Sequence, residues 1–260
     1  SYRVQSRGGK GSSSTTLRDD DFIQHIFIGS THDYIFFISS EGKAYYLKVH
    51  EIPEASKSAR GTHIKSLLAV GPDEEITSVV SISEFSEEAF ILMATRKGIT
   101  KKVKTSDFSN AKTRGITAIR LDKDDRLVSS LLTGGGDELM FVTRKGQGLR
   151  VSETSIRAMG RATRGVAGVR LGKGDELAGV VTVRPDERML LLTEYGYGKR
   201  TDYDDFTQHN RGTKGQIAYS ASDRTGEVVG VLSVAQGDEA MIITSQGQTI
   251  KIRIQDVSIQ

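Results

Sequence analysis

A basic corner closing on Lys-Gly or Arg-Gly returns five times along this chain, and its spacing restricts the possible folds more than any other feature. The copies are Arg7-Gly8-Gly9-Lys10-Gly11, Lys57-Ser58-Ala59-Arg60-Gly61, Ala111-Lys112-Thr113-Arg114-Gly115, Arg161-Ala162-Thr163-Arg164-Gly165 and Arg211-Gly212-Thr213-Lys214-Gly215. Their closing glycines stand 50, 54, 50 and 50 residues apart. A period in this range indicates a propeller, a solenoid or a similar array of units that bury one another's faces.

Two further elements keep step with the corner. The first is a short apolar run, a turn containing Gly, and a second run carrying cations: 35–42, 90–98, 139–146, 189–196 and 241–247 mark the first run and its turn. Such runs read as β-hairpins. Four positions beyond the turn glycine stands Lys102, Arg150, Arg200 or Lys251, with Tyr46 as the exception. The second element is an acidic turn leading into another apolar strand, as at Asp73-Glu74-Glu75-Ile76, Asp124-Asp125-Arg126-Leu127 and Gly174-Asp175-Glu176-Leu177. One unit thus holds four short strands in about 50 residues, the content of a propeller-type blade. The expected fold is all-β, a propeller-like array of four-stranded blades in a single domain over 1–260. Its units run approximately 1–50, 51–104, 105–154, 155–204 and 205–260.

Composition narrows the class. The chain has 28 Gly, 3 Pro, no Cys and no Trp, with 37% hydrophobic residues, so it is turn-rich and long enough for a sizeable core. Disulfide and Cys-based zinc chemistry are excluded. No apolar run approaches the roughly 18 residues of a membrane-spanning helix, and no signal peptide opens the chain, so an intracellular location is expected. The absence of an initiating Met, with a specialised corner so near residue 1, reads as a piece of a longer protein.

The balance of 36 Lys+Arg against 33 Asp+Glu gives a net +3, too little by itself to indicate nucleic acid. Position changes the argument: cations gather at one corner of each unit and many anions at another turn, so an array of units would carry separate positive and negative stripes. A basic stripe is an electrostatic footprint for a polyanion, whereas a single basic corner is as well explained as a solvated hairpin end. In Arg7-Gly8-Gly9-Lys10-Gly11 the glycines permit close backbone approach to a phosphate and the two cations supply charge. It is not a nucleotide-binding P-loop, because Lys10 is followed by Gly11 and no helix pattern follows.

Gln5 to Gly11 resembles the heptapeptide box of the DNA gyrase A C-terminal domain family, Gln-Arg-Arg-Gly-Gly-Lys/Arg-Gly, with Ser6 in place of the first Arg. The resemblance runs on through Thr31-His32-Asp33, Ile52-Pro53-Glu54-Ala55, Ala94-Thr95-Arg96-Lys97-Gly98, Ile156 to Arg161 and Tyr195 to Thr201, covering essentially the whole chain. It implies a β-pinwheel, a propeller-like disc whose blades exchange strands with neighbours and whose rim binds and bends double-stranded DNA. It also implies assembly with the rest of gyrase A and with gyrase B, and a cytoplasmic, nucleoid-associated setting. Two departures stand out: five repeats are counted where many members of the family have six blades, and Ser6 removes one cation from the box.

Resemblance and charge pattern together suggest wrapping. Bending about 20 to 30 base pairs through roughly 40 to 90° costs on the order of 1 to 6 kcal/mol, so contacts must be spread along the path, and one basic corner per blade supplies that spacing. Contacts with phosphates carry little sequence information, so nearly sequence-neutral binding is expected. The candidate DNA-binding residues are Gln5, Ser6, Arg7, Gly8, Gly9, Lys10, Gly11, Arg60, Lys101, Lys102, Arg114, Arg150, Arg164, Lys199, Arg200, Arg211, Lys214 and Lys251.

No catalytic centre, metal site or cofactor is expected within the chain. The eight tyrosines fit strands or turns better than a strand-cleaving site, and the five histidines lack metal-ligand spacing. The acidic clusters Asp19-Asp20-Asp21 and Asp122 to Asp125 fall on the recurrent turn. The alternatives are the C-terminal domain of topoisomerase IV, whose box is usually degenerate or absent, and a propeller acting as a protein-interaction platform.

Overall fold

The structure, a computed structural model, describes residues 31–53, 62–243 and 249–260. Each unit opens with a hairpin: β1 (Tyr34–Ser39) pairs with β2 (Lys43–Lys48), and after β3 (Ile76–Ile82) the next hairpin is β4 (Phe90–Thr95) with β5 (Ile99–Lys104). The chain continues through β6 (Ile116–Thr117), β7 (Leu127–Thr133), the hairpin β8 (Glu138–Thr143) and β9 (Gln147–Ser152), β10 (Val166–Ala167) and β11 (Leu177–Val183). It ends with β12 (Arg188–Thr193), β13 (Gly198–Thr201), β14 (Gln216–Ile217), β15 (Val228–Val234) and the hairpin β16 (Glu239–Ile243) and β17 (Thr249–Arg253). Helix is confined, among the described residues, to one turn at Ile64–Leu67 and to short 3-10 turns that follow the hairpins.

The first three hairpins close through three-residue loops whose last residue, Gly42, Gly98 or Gly146, has φ of 76°, 80° or 87°. That left-handed conformation is open to Gly without strain and completes the tight connection.

Strand order reveals exchange between neighbours. The first sheet runs β3-β1-β2-β6, the second β7-β4-β5-β10 and the third β11-β8-β9-β14. In each, the two-residue edge strand comes from the chain that has already built the next hairpin: β6 pairs with β2, β10 with β5 and β14 with β9. After lending that strand the chain returns to its own blade, where β7 pairs with β4 and β11 with β8. A sheet therefore draws on more than one sequence repeat. The described residues form three four-stranded blades, one three-stranded sheet (β13-β12-β15) and one two-stranded sheet (β16-β17).

Blades pack face against face, and this explains their near-continuous apolar runs. Ile91 and Met93 of β4 face the first blade beside Phe36 and Val80, while Leu92 and Ala94 face the third beside Phe141 and Val169. Because both faces are covered, the two-residue alternation sorts side chains between two seams instead of between core and water. The long strands line up side by side: the Ser78 and Ser130 hydroxyls hydrogen-bond, the Val180 amide donates to Ser129 Oγ at 3.3 Å, and a Cβ on Gly179 would meet Val231 at 3.6 Å.

Candidate nucleic-acid interface

The corners form a ladder. At three successive seams a main-chain amide donates to the threonine carbonyl of the next corner: Ala69 to Thr113 at 2.8 Å, Arg120 to Thr163 at 3.0 Å and Arg170 to Thr213 at 2.8 Å. The residue after each acceptor is the corner cation, and Arg114, Arg164 and Lys214 are all exposed. One backbone hydrogen bond at each seam thus sets the three cations at equivalent positions on successive blades. Exposed Lys112, Arg120, Arg157 and Arg170 add charge beside them. These four escaped the candidate set, although the shared offset of Arg120 and Arg170, six residues beyond Arg114 and Arg164, was a usable signal.

Other candidates face inward, against the expectation that Lys101, Lys102 and Arg200 are exposed for DNA. Lys101 is 0% exposed and Lys102 and Arg200 are 5% and 6% exposed. Lys101 Nζ donates to Ala118 O at 2.8 Å, to Thr163 O at 2.9 Å and to Arg161 O, all beyond the hairpin that carries it. Burial, with the Arg161 charge second, lowers its ammonium pKa to about 8. At Lys102, Arg150 and Arg200 the cation four residues past the turn glycine is a seam fastener. Lys102 Nζ lies 3.3 Å from buried Glu153, Arg150 Nη1 donates to Tyr203 O at 2.9 Å, and Arg200 Nε donates to Val257 O at 2.8 Å. Tyr46, the apparent exception, does the same through its hydroxyl, which donates to Ser109 O at 2.9 Å. What recurs is a long donor reaching the chain that follows the next blade's hairpin, whatever its charge.

The remaining candidates divide. Arg150 also pairs with Glu138, and Lys251 with Glu239. Arg211 donates to Ser155 O and Ala167 O, and the equivalent Arg161 donates to Thr117 O at 3.1 Å, so this corner position also braces a seam. Lys199 is half-buried with its ammonium 5.9 Å from the Tyr219 ring centroid, and burial lowers its pKa. Gln5, Ser6, Arg7, Gly8, Gly9, Lys10, Gly11 and Arg60 lie outside the described residues, as do Asp19-Asp20-Asp21.

The acidic turns are latches. Asp125 and Asp175 each accept the amide of a hairpin-turn lysine, Lys97 or Lys145, at 3.0 Å, and the same lysines donate Nζ to Lys123 O and Lys173 O. A cleft of about 490 Å³ between the third and fourth blades is lined by Asp137, Glu138, Glu187, Asp202 and Asp204 against Arg150 and Arg184, a balance that repels polyanions. Among the described residues no three His, Cys, Asp or Glu groups converge on a metal position, and no helix is long and apolar enough to cross a membrane. Tyr45 and Tyr203 are buried, donating to Glu74 and to Ser233 Oγ respectively.

A sequence model of the DNA gyrase C-terminal domain, beta-propeller, matches residues 1–30, 33–83, 89–133, 137–184, 187–235 and 238–260. The chain belongs to the DNA gyrase C-terminal domain family. Among its relatives, the DNA gyrase A protein of Treponema pallidum is 60% identical over 258 residues, covering 99% of this chain and 32% of that protein. The Escherichia coli gyrase A protein is 40% identical over 258 residues, covering 99% of this chain and 30% of its own length. The chain thus spans about a third of the curated gyrase A proteins it matches. A solved DNA gyrase A C-terminal domain superposes with a TM-score of 0.89 at 29% identity, covering 100% of this chain and 85% of that one. The C-terminal domain of DNA topoisomerase IV superposes with a TM-score of 0.81 at 24% identity over 95% of this chain and 77% of that one, a likeness of fold. The gyrase family's propeller description fits the exchanged, face-packed blades.

Proposed function

We propose that this domain is the non-catalytic, DNA-wrapping part of a DNA gyrase A protein, bending duplex along its basic rim so that the parent topoisomerase introduces negative supercoils. The observation that carries the reading is the hydrogen-bonded ladder of corners presenting Arg114, Arg164 and Lys214 at equivalent positions on successive blades. Cations whose backbone is fixed at regular intervals suit a regularly spaced line of phosphates, and they read backbone, not bases. Membership of the gyrase family and the 60% identical gyrase A protein favour this over topoisomerase IV. Arg7 and Lys10 of the box belong to the proposed path, whereas Lys101, Lys102 and Arg200 do not, because a buried cation already bonded to carbonyl or carboxylate oxygens of the fold offers no donor to a phosphate. The domain itself calls for no cofactor. Its proposed partners are double-stranded DNA, the rest of gyrase A and gyrase B, in a bacterial cytoplasm beside the nucleoid.

The test is topological. Nicked circular plasmid is ligated in the presence of the protein, the protein is removed, and the linking-number distribution is read on a gel. The expected result is a shift that grows with protein and shrinks in Arg114→Ala/Lys214→Ala. Unshifted topoisomers at protein concentrations that saturate the plasmid would sink the wrapping reading.

A further inference from the structure

The corner ladder aligns the seams residue for residue, and one seam differs from the other two. Counting two residues on from the donating amides of Ala69, Arg120 and Arg170 gives Gly71, Asp122 and Gly172. Each of these positions is matched to the corner cation of the next blade, Arg114, Arg164 or Lys214. Only the middle seam puts a carboxylate there. Arg164 Nε lies 2.7 Å from both Asp122 oxygens, and Nη2 lies 2.5 Å from Oδ2. The pair lies at the surface, with side chains 45% and 39% exposed, where a bound duplex would otherwise meet the guanidinium.

We propose that Asp122 masks Arg164, standing in for a phosphate and making the middle corner electrically silent while its neighbours grip DNA. This inference rests on the DNA-rim reading. The guanidinium fork that binds a carboxylate through two parallel N–H groups is the same fork that binds a phosphate, so the two ligands compete for one set of donors. Asp122 stays ionised throughout the neutral range, because its hydrogen bond from Arg164 holds the carboxyl below its ordinary pKa. A phosphate reaching Arg164 must displace a carboxylate that then remains beside it, so the pair contributes no net attraction. Gly71 and Gly172 leave Arg114 and Lys214 without that competitor. Asp122 is thereby a residue that grades affinity along the rim.

The experiment measures binding of a short duplex by fluorescence anisotropy across a salt series, with the whole chain and five variants. Asp122→Gly, which installs the residue of the other two seams, is expected to bind about two- to five-fold tighter. Its slope of log affinity against log salt should steepen by about 0.9. Asp122→Gly/Arg164→Ala, which removes the pair together, should match the wild type within about two-fold and in slope. The reciprocal Gly172→Asp should weaken binding and flatten the slope. A Cβ at Gly172 meets nothing within 4 Å and its backbone is not left-handed, so the fold accepts it.

Loss of affinity in the double variant equal to that of Arg114→Ala would mean that Arg164 already contacts phosphate, overturning the masking. So would an unchanged Asp122→Gly while Arg114→Ala and Lys214→Ala weaken binding, and the rim reading would then stand. Binding indifferent to Arg114, Lys214 and salt alike would remove the rim reading and the masking with it.

Discussion

At the scale of single residues, the fold depends on positions where only hydrogen fits. Gly146 closes the third hairpin with φ of 87°, and a Cβ there would lie 1.9 Å from the Tyr219 carbonyl oxygen, a main-chain atom of the strand-exchange connection. Neither the conformation nor the neighbour can yield without disturbing the amides of Ala218 and Tyr219, which both donate to Gly146 O. Gly146→Ala should therefore cost about 2–4 kcal/mol of stability, read as a lower urea midpoint. Gly136→Ala, where a Cβ meets nothing within 4 Å, should stay within about 0.5 kcal/mol of the wild type. The same reasoning explains why the box-like glycines recur at the corners: Gly115, Gly165 and Gly215 have φ of 73°, 108° and 80°.

At the scale of elements, each seam is a strand-to-corner joint, and Lys101 is the most buried of the fasteners. Its pKa of about 8 lies below the ordinary 10.5, so between those values the unfolded chain holds a proton that the folded chain has released. Stability contributed by this group accordingly rises with pH from about 8 upward. Tyr203, pushed up to about 12 by burial, opposes this gain above the ordinary tyrosine value of 10.0, because there the folded state is the one that keeps its proton. The usable window is therefore pH 8 to 10. Across it the Lys101 contribution to the unfolding free energy should increase by on the order of 2 kcal/mol, and Lys101→Met should remove most of the rise, leaving the smaller part that half-buried Lys199 supplies. Chemical denaturation at several pH values checks this; a flat profile in the wild type would mean that the three carbonyl acceptors hold the ammonium charged.

At the scale of the whole molecule, cations divide into those that hold blades together and those that face outward, and the two groups answer different measurements. Removing Arg114 and Lys214 together should lower the salt slope of DNA binding by about 1.8 and weaken affinity alike for unrelated duplex sequences, leaving the melting temperature almost unchanged. Arg200→Met should do the reverse, lowering stability while the slope per bound molecule holds. Its guanidinium donates to Val257 O and Gln255 O, and its loss leaves those acceptors without their partner. Salt-series anisotropy paired with thermal melts separates the two behaviours in one set of variants.

The sequence by itself determined the period, the hairpins, the turn glycines and the four-stranded content of a blade. Those follow from local chemistry: apolar runs of strand length, Gly where φ must be positive, and repetition that fixes register. It also placed Arg114, Arg164 and Lys214 on corners that do face outward. Only the tertiary structure decided which of the other cations reach water. Lys102, Arg150 and Arg200 carry the same charge signature as rim residues, yet the fold sets Lys102 beside the Glu153 carboxylate and Arg150 and Arg200 beside carbonyl oxygens of the next blade, and a long cationic side chain turns inward when such acceptors satisfy it. The tie between Asp122 and Arg164 was equally invisible along the chain, since 42 residues separate them and only the corner ladder brings them into contact.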